Sequence, residues 1–400
     1  MGFQSVRDLD VKGHRVFLRA DLNVPLKDGR ITDATRVRET LPTLKCLLDG
    51  GASVVLASHL GRPEGKGFEA AYSAAPVAAW LREQGIDCHL ASYVNGPAVE
   101  AEAAALQPGQ VLLLENLRFE KGETKNNPDF AASLARLADT YVDDAFGSAH
   151  RAHASVSGMV ADFPKDRVAA GFLMEKELKA LGKVTDHPEK PLVVIFGGAK
   201  VSDKIELIQN FLGKADAILI GGAMSYTFLK AQGFQIGKSL CEEDKLEMAL
   251  DLLQQAQLKG TRLLLPLDHL AAASFKEDAD CAITLDENIP TDRMALDIGP
   301  ETVAAYAAEI RAAKTLLWNG PMGVFEMAPF ASGTLAMAEE LAEAADRGAF
   351  VLVGGGDSVA AVNQAGVAAR MSHVSTGGGA SLEFLSGLEL PGVAALSQNA

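Results

Sequence analysis

Features typical of phosphate binding are concentrated in the stretch from Phe196 to Ile205, which reads FGGAKVSDKI. The apolar run at 192–196 predicts a strand that ends at two glycines, and helical spacing follows over 201–211. Backbone N–H groups at a helix start attract anions, and glycines let a phosphate approach closely. A helix that begins near Lys200 would place Lys200 and Lys204 on one face. The pattern predicts a polyphosphate site, although an ordinary strand-to-helix connection with two solvated lysines has the same spacing.

Basic side chains follow successive apolar runs in the first half of the chain. The runs at 54–57, 111–114 and 141–143 have strand character, and each leads into a polar loop. Ligands of open α/β sheets bind beyond the carboxyl ends of the strands, so these loops should gather on one rim. Clustered like charges predict a compensating anion, whereas a surface salt bridge is the alternative for any single arginine. The basic residues are His59, Arg62, Arg118, Arg151 and His153, with Arg36 at the start of the first predicted helix.

Glycine turns follow several apolar runs in the second half, and each can present backbone N–H groups to an anion. Asp357, at the mouth of a predicted helix, is either a helix cap or a Mg²⁺ ligand, and a neighbouring polyphosphate site favours the metal. His150 and His153 form an H-x-x-H pair without a third ligand nearby, which argues against a metal site there. The turns are Gly197-Gly198, Gly221-Gly222, Asn319–Gly323, Gly354–Ser358 and Thr376–Ser381.

Two familiar nucleotide-binding signatures are incomplete in this chain. Gly237-Lys238-Ser239 resembles the end of a P-loop, but the first glycine of that motif would fall at residue 232, which is Gln232. No G-x-G-x-x-G follows an apolar run, so a dinucleotide-binding dehydrogenase lacks its usual support. The glycine turns therefore belong to another phosphate-binding scheme.

The composition is that of an ordinary globular protein, with 48% hydrophobic and 22% charged residues. A length of 400 residues suggests two domains. The formal net charge of −15 argues against nucleic-acid binding, which rests on neutralising phosphates with Lys and Arg. The four scattered cysteines indicate neither a zinc site nor a disulfide framework, and no apolar run is long enough for a membrane span. These features predict a cytoplasmic protein with reduced thiols.

Alternating strands and helices are expected to position these loops. A helix capped by Thr32 or Asp33 should run to Leu48, and the segment 171–184 reads as an amphipathic helix. The charged, proline-containing segment 186–191 marks a boundary, after which a second alternating series begins. The sequence thus predicts an α/β protein with two doubly wound parallel-sheet (Rossmann-like) domains joined by a hinge helix. The strands expected in the second series lie near 192–196, 216–220, 262–266, 281–285, 314–318 and 350–353.

With these segments assembled, the chain resembles the phosphoglycerate kinases over essentially its whole length. The resemblance is specific because its motifs occur in order through both halves. They are RADLNVP at 19–25, SHLGRP at 58–63, ENLRF at 115–119, GSAHRAHAS at 147–155, GGAKVSDKI at 197–205, WNGPMGVFE at 318–326, GGGDS at 354–358 and STGGGAS at 375–381.

The resemblance implies a two-lobed kinase that moves the acyl phosphate of 1,3-bisphosphoglycerate to MgADP, giving 3-phosphoglycerate and MgATP. It implies that Asp21 and Asn23 bind the hydroxyl and carboxyl end of the glycerate, and that Arg36 meets the transferring phosphoryl group. The basic patch of the same lobe is implied to be His59, Arg62, Arg118 and Arg151.

For the second lobe, the resemblance implies a nucleotide site with Mg²⁺ as the cofactor. Lys200 and Lys204 match the phosphate lysines, Glu326 matches the ribose ligand and Asp357 matches the Mg²⁺ ligand. The remaining implied nucleotide contacts are Gly221 and Gly222 beside the adenine, Asn319 at a phosphate, and Gly354, Gly355, Gly356 and Ser358. The residues implied to act in catalysis are Arg36, Lys200, Gly356 and Gly379.

The resemblance further implies a division of labour along the chain and a role in glycolysis and gluconeogenesis. Residues 1–170 would bind 3-phosphoglycerate, 171–190 would form the interdomain helix and hinge, and 191–389 would bind the nucleotide. The tail at 390–400 would pack back on the N-terminal domain. A monomer with no nucleic-acid or membrane partner is expected.

Two other functions stay open at this point. One is a different small-molecule acyl-phosphate kinase, against which the arginine rim argues. The other is a non-catalytic binding protein for phosphorylated metabolites, which would need neither a Mg²⁺ ligand nor a lysine at the transfer point.

Overall fold

The computed structural model describes residues 2–397, and the chain forms two compact units. The first unit contains the chain up to Leu178 and from Glu389 onward, and the second contains Lys179–Leu388. Among the described residues, no helix combines the length and the apolar character needed to cross a membrane.

The first unit is built on a parallel sheet with the strand order β5-β6-β4-β1-β7-β8. Strands β4 and β7 are buried throughout and β1 is buried except at Arg15, as expected for a parallel sheet covered on both faces. Strands β2 and β3 form a separate antiparallel pair. The strands are β1 (Arg15–Ala20), β2 (Leu26–Lys27), β3 (Arg30–Ile31), β4 (Ser53–Ala57), β5 (Cys88–Leu90), β6 (Val111–Leu113), β7 (Thr140–Asp144) and β8 (Val168–Ala170).

Polar side chains begin two helices of the first unit. The predicted cap at Thr32 or Asp33 was wrong, because the cap residue of α1 is Ala34. Asp33 still supports the start of the helix, since its Oδ1 accepts a hydrogen bond of 2.9 Å from the Thr35 backbone N–H. Asp144, at the end of β7, accepts hydrogen bonds from the backbone N–H groups of Leu173 and Met174 at the start of α6. The helices are α1 (Thr35–Asp49), α2 (Ala75–Glu83), α3 (Pro97–Ala105), α4 (Lys121–Thr124) and α5 (Pro128–Ala135). Helix α6 (Phe172–Thr185) begins in the first unit and continues into the second.

The second unit is built on another parallel sheet, with the order β11-β10-β9-β15-β16-β17. The predicted class of two parallel-sheet α/β domains is therefore confirmed. An antiparallel sheet with the order β13-β12-β14 accompanies it. The strands are β9 (Leu192–Phe196), β10 (Ala217–Ile220), β11 (Arg262–Leu264), β12 (His269–Ala272), β13 (Cys281–Ile283), β14 (Met294–Ile298), β15 (Thr315–Asn319), β16 (Phe350–Val353) and β17 (His373–Val374).

The strand predicted near 281–285 does not belong to the second parallel sheet, so that part of the prediction was wrong. Strand β13 covers part of the segment 281–285, but it is an edge strand of the antiparallel sheet and pairs with β12. All three of its residues are exposed. A strand inside a parallel sheet has to be covered on both faces, so an exposed strand of this kind belongs at a sheet edge.

The remaining helices belong to the second unit, except the last, which belongs to the first. Those of the second unit are α7 (Ile205–Phe211), α8 (Met224–Ala231), α9 (Leu246–Leu258), α10 (Pro300–Ala312), α11 (Ser332–Asp346), α12 (Gly356–Gln364) and α13 (Gly379–Leu385). Helix α14 (Pro391–Ser397) belongs to the first unit, where the Gly392 backbone N–H donates a 2.9 Å hydrogen bond to the Ala149 carbonyl. Residues 398–400 of the predicted tail lie outside the described residues.

Candidate active site

Asp21 and Arg36 lie next to each other beyond the carboxyl end of β1. Asp21 is the first residue after that strand, and Arg36 lies in the first turn of α1. Arg36 Nη1 donates a hydrogen bond to Asp21 Oδ2. The Asp21 side chain is buried, whereas 41% of the Arg36 side chain is exposed. The guanidinium group is therefore held in place at its inner side and remains accessible to an anion.

Asn23 and Arg118 meet at the loop after β4. Asn23 Oδ1 accepts a 2.8 Å hydrogen bond from the Gly61 backbone N–H, and Arg118 Nη1 donates one of 2.9 Å to the Gly61 carbonyl. Gly61 has a φ of 57°, which glycine adopts without the strain that other residues incur. Loops that follow three different strands are thereby tied together at one edge of the sheet.

The predicted basic rim forms one electrostatic group in the first unit. Burial lowers the pKa of His59 well below its usual value, and Arg19, Arg118, His153 and Arg36 lower it further. Burial likewise lowers the pKa of Arg118. Because these charges act on one another, they lie close together, as the rim requires. The structure thus assembles His59, Arg62, Arg118, Arg151, His153 and Arg36 in one region.

His153 is expected to be neutral at neutral pH. Burial lowers its pKa to about 4, and Arg118, Arg19, Arg151 and His150 reinforce the shift. Its Nδ1 lies 3.9 Å from Glu123 Oε1, which is too long for a hydrogen bond. The rim therefore offers an incoming anion arginine charge together with neutral imidazole N–H groups.

The acid dependence of stability should change when His153 is replaced. A histidine whose folded-state pKa lies below its unfolded value of 6.5 contributes stability that is present above pH 6.5 and is lost as the pH falls towards 4. Between pH 7 and pH 5 the His153→Gln variant should lose about 2 kcal/mol less free energy of unfolding than the native chain. Urea unfolding at both pH values measures the difference, and equal losses in the two proteins would contradict it.

Arg19 is a site residue to which the sequence patterns assign no role. It is fully buried in β1, where its Nε donates a 2.8 Å hydrogen bond to Ser155 Oγ and its Nη2 lies 3.2 Å from His59 Nδ1. Since the arginine can only donate, His59 Nδ1 is the acceptor and the ring proton resides on Nε2. The available signal was an arginine inside an apolar strand, because a buried charge must be paired.

Ser155 links Arg19 to a buried carboxylate. Its Oγ donates a 2.6 Å hydrogen bond to Glu123 Oε1, and its backbone N–H donates one of 3.0 Å to Glu123 Oε2. Glu123 is fully buried in the short helix α4. A chain of polar contacts therefore runs from the basic rim into the interior of the first unit.

The lysine loop, residues 197–204 of the second unit, differs from its predicted conformation. Helix α7 begins at Ile205, so Lys200 lies in the loop and Lys204 is the helix cap residue. The prediction of a helix from residue 201, with both lysines on one face, was wrong. Val201 is fully buried and Ser202 bonds to Glu242, so tertiary contacts hold this segment out of the helix.

Lys204 and Asn319 are in direct contact at the carboxyl ends of β9 and β15. Lys204 Nζ donates a hydrogen bond to Asn319 Oδ1, and Asn319 Nδ2 donates one of 2.7 Å to the Gly354 carbonyl. Burial lowers the pKa of Lys204, while Asp203 and Asp357 act in the opposite direction. These contacts bring the lysine loop, the end of β15 and the glycine turn at 354–358 together.

The glycine turn at 354–358 leads directly into α12. Gly355 has a φ of 90°, and a Cβ atom there would lie 2.7 Å from Asn319 Nδ2. Ser358 Oγ accepts a 2.6 Å hydrogen bond from the Gly320 backbone N–H. Gly356 is the first residue of α12, and Asp357 is exposed in its first turn. Gly379 similarly begins α13.

A largely apolar pocket of about 610 Å³ lies beside these loops. Of the predicted nucleotide-site residues, Gly222, Glu326 and Asp357 line it. Lys200, Lys204, Gly221, Asn319, Gly354, Gly355, Gly356 and Ser358 are not among its lining residues. Lys238 and Leu240, for which no role is predicted, also line it. A concave apolar pocket with a few polar groups suits a planar heterocycle and its attached sugar.

The family comparison decides the classification of this chain. The model of the family described as phosphoglycerate kinase matches residues 6–388. The chain belongs to the phosphoglycerate kinase family. It is accordingly a phosphotransferase, and the resemblance seen in the sequence motifs is confirmed.

Similar proteins cover the chain almost completely. It is 54% identical over 400 residues to a phosphoglycerate kinase of Chloroflexus aurantiacus, with 99% of each chain covered. It is 55% identical over 395 residues to one of Moorella thermoacetica, covering 98% of this chain and 99% of the other. Among solved structures, the phosphoglycerate kinase of Coxiella burnetii matches with a TM-score of 0.93 at 41% identity over the full length of both chains. That of Pyrococcus horikoshii gives 0.79 at 31% identity, covering 100% of this chain and 99% of the other.

The donor set of the second unit fits magnesium that arrives with a nucleotide. Within residues 2–397, no three His, Cys, Asp or Glu side chains are grouped so that they would hold a metal ion by themselves. Mg²⁺ commonly uses one or two carboxylates and completes its coordination with substrate phosphates and water. The exposed carboxylate of Asp357 at the pocket matches this demand.

Proposed function

We propose that this protein transfers the acyl phosphate of 1,3-bisphosphoglycerate reversibly to MgADP, giving 3-phosphoglycerate and MgATP. The observation that carries the proposal is the basic rim, in which Arg36 is fixed by Asp21 and Arg118 is fixed by the Gly61 carbonyl, with Arg62 and Arg151 in the same group. Such a cluster is costly unless an anion of matching size binds to it. Family membership supports the same substrate pair.

In the first unit, the rim would bind the glycerate substrate. Asp21 and Asn23 would accept hydrogen bonds from the glycerate hydroxyl group and orient the carboxyl end of the substrate, because both follow the carboxyl end of β1. Arg36 would meet the phosphoryl group that is transferred. The remaining phosphate would be held by His59, Arg62, Arg118 and Arg151.

In the second unit, the pocket would hold the nucleoside. Gly221 and Gly222 would flank the adenine and Glu326 would bind the ribose, while Lys204 and Asn319 would meet phosphates. Lys200, Gly354, Gly355, Gly356, Ser358 and Gly379 would complete the phosphate site. When bound through Asp357, Mg²⁺ would neutralise charge on the nucleotide phosphates.

Direct in-line transfer would need no nucleophile from the protein. The transition state is stabilised by positioning and by charge, and Arg36 and Lys200 supply positive charge, with Gly356 and Gly379 supplying backbone N–H groups. Because one substrate would bind to each unit, we propose that closure brings them into line and excludes water from the acyl phosphate.

The proposed division of labour follows from these sites. Residues 1–170 would form the 3-phosphoglycerate-binding domain and 191–389 the nucleotide-binding domain, with 171–190 as the hinge and 390–400 as a tail on the first domain. The protein would act in glycolysis and gluconeogenesis as a cytoplasmic monomer without nucleic-acid or membrane partners.

A coupled assay tests the reaction itself. Purified protein is supplied with 3-phosphoglycerate and MgATP, and the formation of 1,3-bisphosphoglycerate is followed with a reporter enzyme. Turnover that depends on both substrates is expected. Folded protein that binds both substrates without turnover would instead indicate a non-catalytic binding protein.

Replacing Lys204 should mainly weaken nucleotide binding. Its half-buried ammonium group is held by Asn319, and a charged hydrogen bond to phosphate contributes about 1.5–3 kcal/mol. We expect Lys204→Ala to weaken ADP binding by about 10- to 100-fold in calorimetry. Lys214→Ala is the matched control, because Lys214 is an exposed lysine of the same unit that bonds to Asn210. Unchanged ADP affinity in Lys204→Ala would refute this role.

A further inference from the structure

We propose that Glu242 is a positioning residue that fixes the lysine loop through Ser202. Its two carboxylate oxygens bind the two hydrogen-bond donors of Ser202. Oε1 accepts a 2.6 Å bond from Ser202 Oγ, and Oε2 accepts a 3.0 Å bond from the Ser202 backbone N–H. Ser202 lies between Lys200 and Lys204. This inference rests on the proposed nucleotide site, and it assigns a role to a residue that does not itself contact the phosphates.

Glu242 is in turn held by its own surroundings. Its backbone N–H donates a 3.2 Å hydrogen bond to Thr227 Oγ1 on helix α8, and Thr227 is buried. The next residue, Glu243, pairs with Lys230. The carboxylate of Glu242 is therefore a fixed support rather than a mobile surface group.

The segment that precedes Glu242 forms part of the pocket wall. Lys238 and Leu240 line the pocket. This segment is anchored by a 2.7 Å hydrogen bond from the Lys238 backbone N–H to the Arg293 carbonyl and by a 2.9 Å bond from the Ala295 backbone N–H to Ser239 Oγ. Hydrogen bonds thus anchor the part of the pocket wall that directly precedes Glu242 in the chain.

The lysine loop forms another part of the same wall. Gly198 and Ala199 line the pocket, so the bonds between Ser202 and Glu242 join two portions of chain that enclose one cavity. A nucleoside in the pocket would touch both portions. Less of its binding energy would then be needed to order the loop that carries Lys200 and Lys204.

The loop needs such a support because it has no regular secondary structure between β9 and α7. The start of the loop is held by the 3.0 Å hydrogen bond from the Gly198 backbone N–H to the Pro321 carbonyl. Its last residue is held by the hydrogen bond from Lys204 Nζ to Asn319 Oδ1. Lys200 is exposed between these two points. Ordering an exposed lysine only when substrate arrives costs entropy, which a pre-formed loop reduces.

Four single variants test the proposal in the full chain. Glu242→Ala removes both bonds of the support, and Ser202→Ala removes only the one from the hydroxyl group. Glu242→Gln retains both, because the amide oxygen accepts from the Ser202 N–H while the amide NH₂ donates to Ser202 Oγ. Glu243→Ala is the matched control with a neighbouring carboxylate removed. Calorimetry with ADP, steady-state kinetics and thermal unfolding are measured for each.

We expect Glu242→Ala to weaken ADP binding and to lower kcat, each by about tenfold, while KM for 3-phosphoglycerate stays unchanged. Ser202→Ala should cause a smaller loss of ADP affinity and kcat. The double variant that combines Ser202→Ala with Glu242→Ala should lose no more of either than Glu242→Ala alone, because both changes break the same link. Glu242→Gln and Glu243→Ala should behave like the native chain.

Three outcomes would overturn the proposal. They are unchanged ADP affinity and kcat in Glu242→Ala, a loss in Glu242→Gln as large as in Glu242→Ala, and fully additive effects in the double variant. If Glu242→Ala does not fold, Ser202→Ala and Glu242→Gln still decide the matter. Failure of the proposed function is distinguishable, because it would appear as absent turnover in the native chain, whereas ADP affinity reports on the loop without turnover.

Discussion

Arg36→Ala should lower kcat by about 10²–10³, the loss seen when a donor to developing negative charge is removed. The reason lies in the position of its guanidinium group, which is fixed by Asp21 on one side and accessible on the other. A group held in this way needs no reorganisation as charge develops on the transferred phosphoryl. Steady-state kinetics with 3-phosphoglycerate and MgATP measure the effect.

Two further variants separate geometry from charge at this position. Arg36→Lys keeps the charge but not the planar fork, so it should recover only part of the lost rate. Arg38→Ala removes an exposed arginine two residues further along α1 and should leave kcat unchanged. A change in Arg36→Ala that is confined to KM would show that Arg36 serves ground-state binding only.

Arg19→Met should destabilise the first unit by about 3–5 kcal/mol, because it removes the buried guanidinium group that Ser155 links to the fully buried carboxylate of Glu123. Ser155 connects the two groups, so its hydroxyl also loses a donor partner. Native-state hydrogen exchange at the amides of β1 reports on this unit specifically. The same variant should release His59 Nδ1 from its contact with the arginine.

The matched test combines Arg19→Met with Glu123→Gln. If the interaction is electrostatic, the double variant should be less destabilised than the sum of the two single variants, because no buried charge is left uncompensated. Strictly additive losses would instead assign the effect of Arg19→Met to packing of its aliphatic stem.

The sequence predicts that the loops after β1, β4 and β7 lie at one edge of the first sheet, for a reason that lies in the sheet. Once β1, β4 and β7 are recognised as buried parallel strands, their carboxyl ends must lie at one edge, and the residues after them must meet there. Asp21, His59 and the loop that holds Arg151 follow this rule. What it cannot predict is Arg19, whose partners Ser155 and His59 come from distant segments.

The second unit shows where local patterns fail. The spacing around Lys200 and Lys204 has a helical period, yet the bonds between Ser202 and Glu242 override it from forty residues away. The prediction that placed the strand at 281–283 in the parallel sheet fails for a similar reason, since periodicity cannot distinguish a covered strand from an exposed edge strand. In both cases the deciding contact is tertiary.

Helix α14 has a consequence for the order in which the molecule is completed. It packs on the first unit through Gly392 and the Ala149 carbonyl, although all of the second unit precedes it in the chain. A ribosome therefore synthesises the whole of the second unit before it delivers this segment of the first. While the chain is being made, the first unit lacks the contacts of α14 until residues 391–397 leave the exit tunnel.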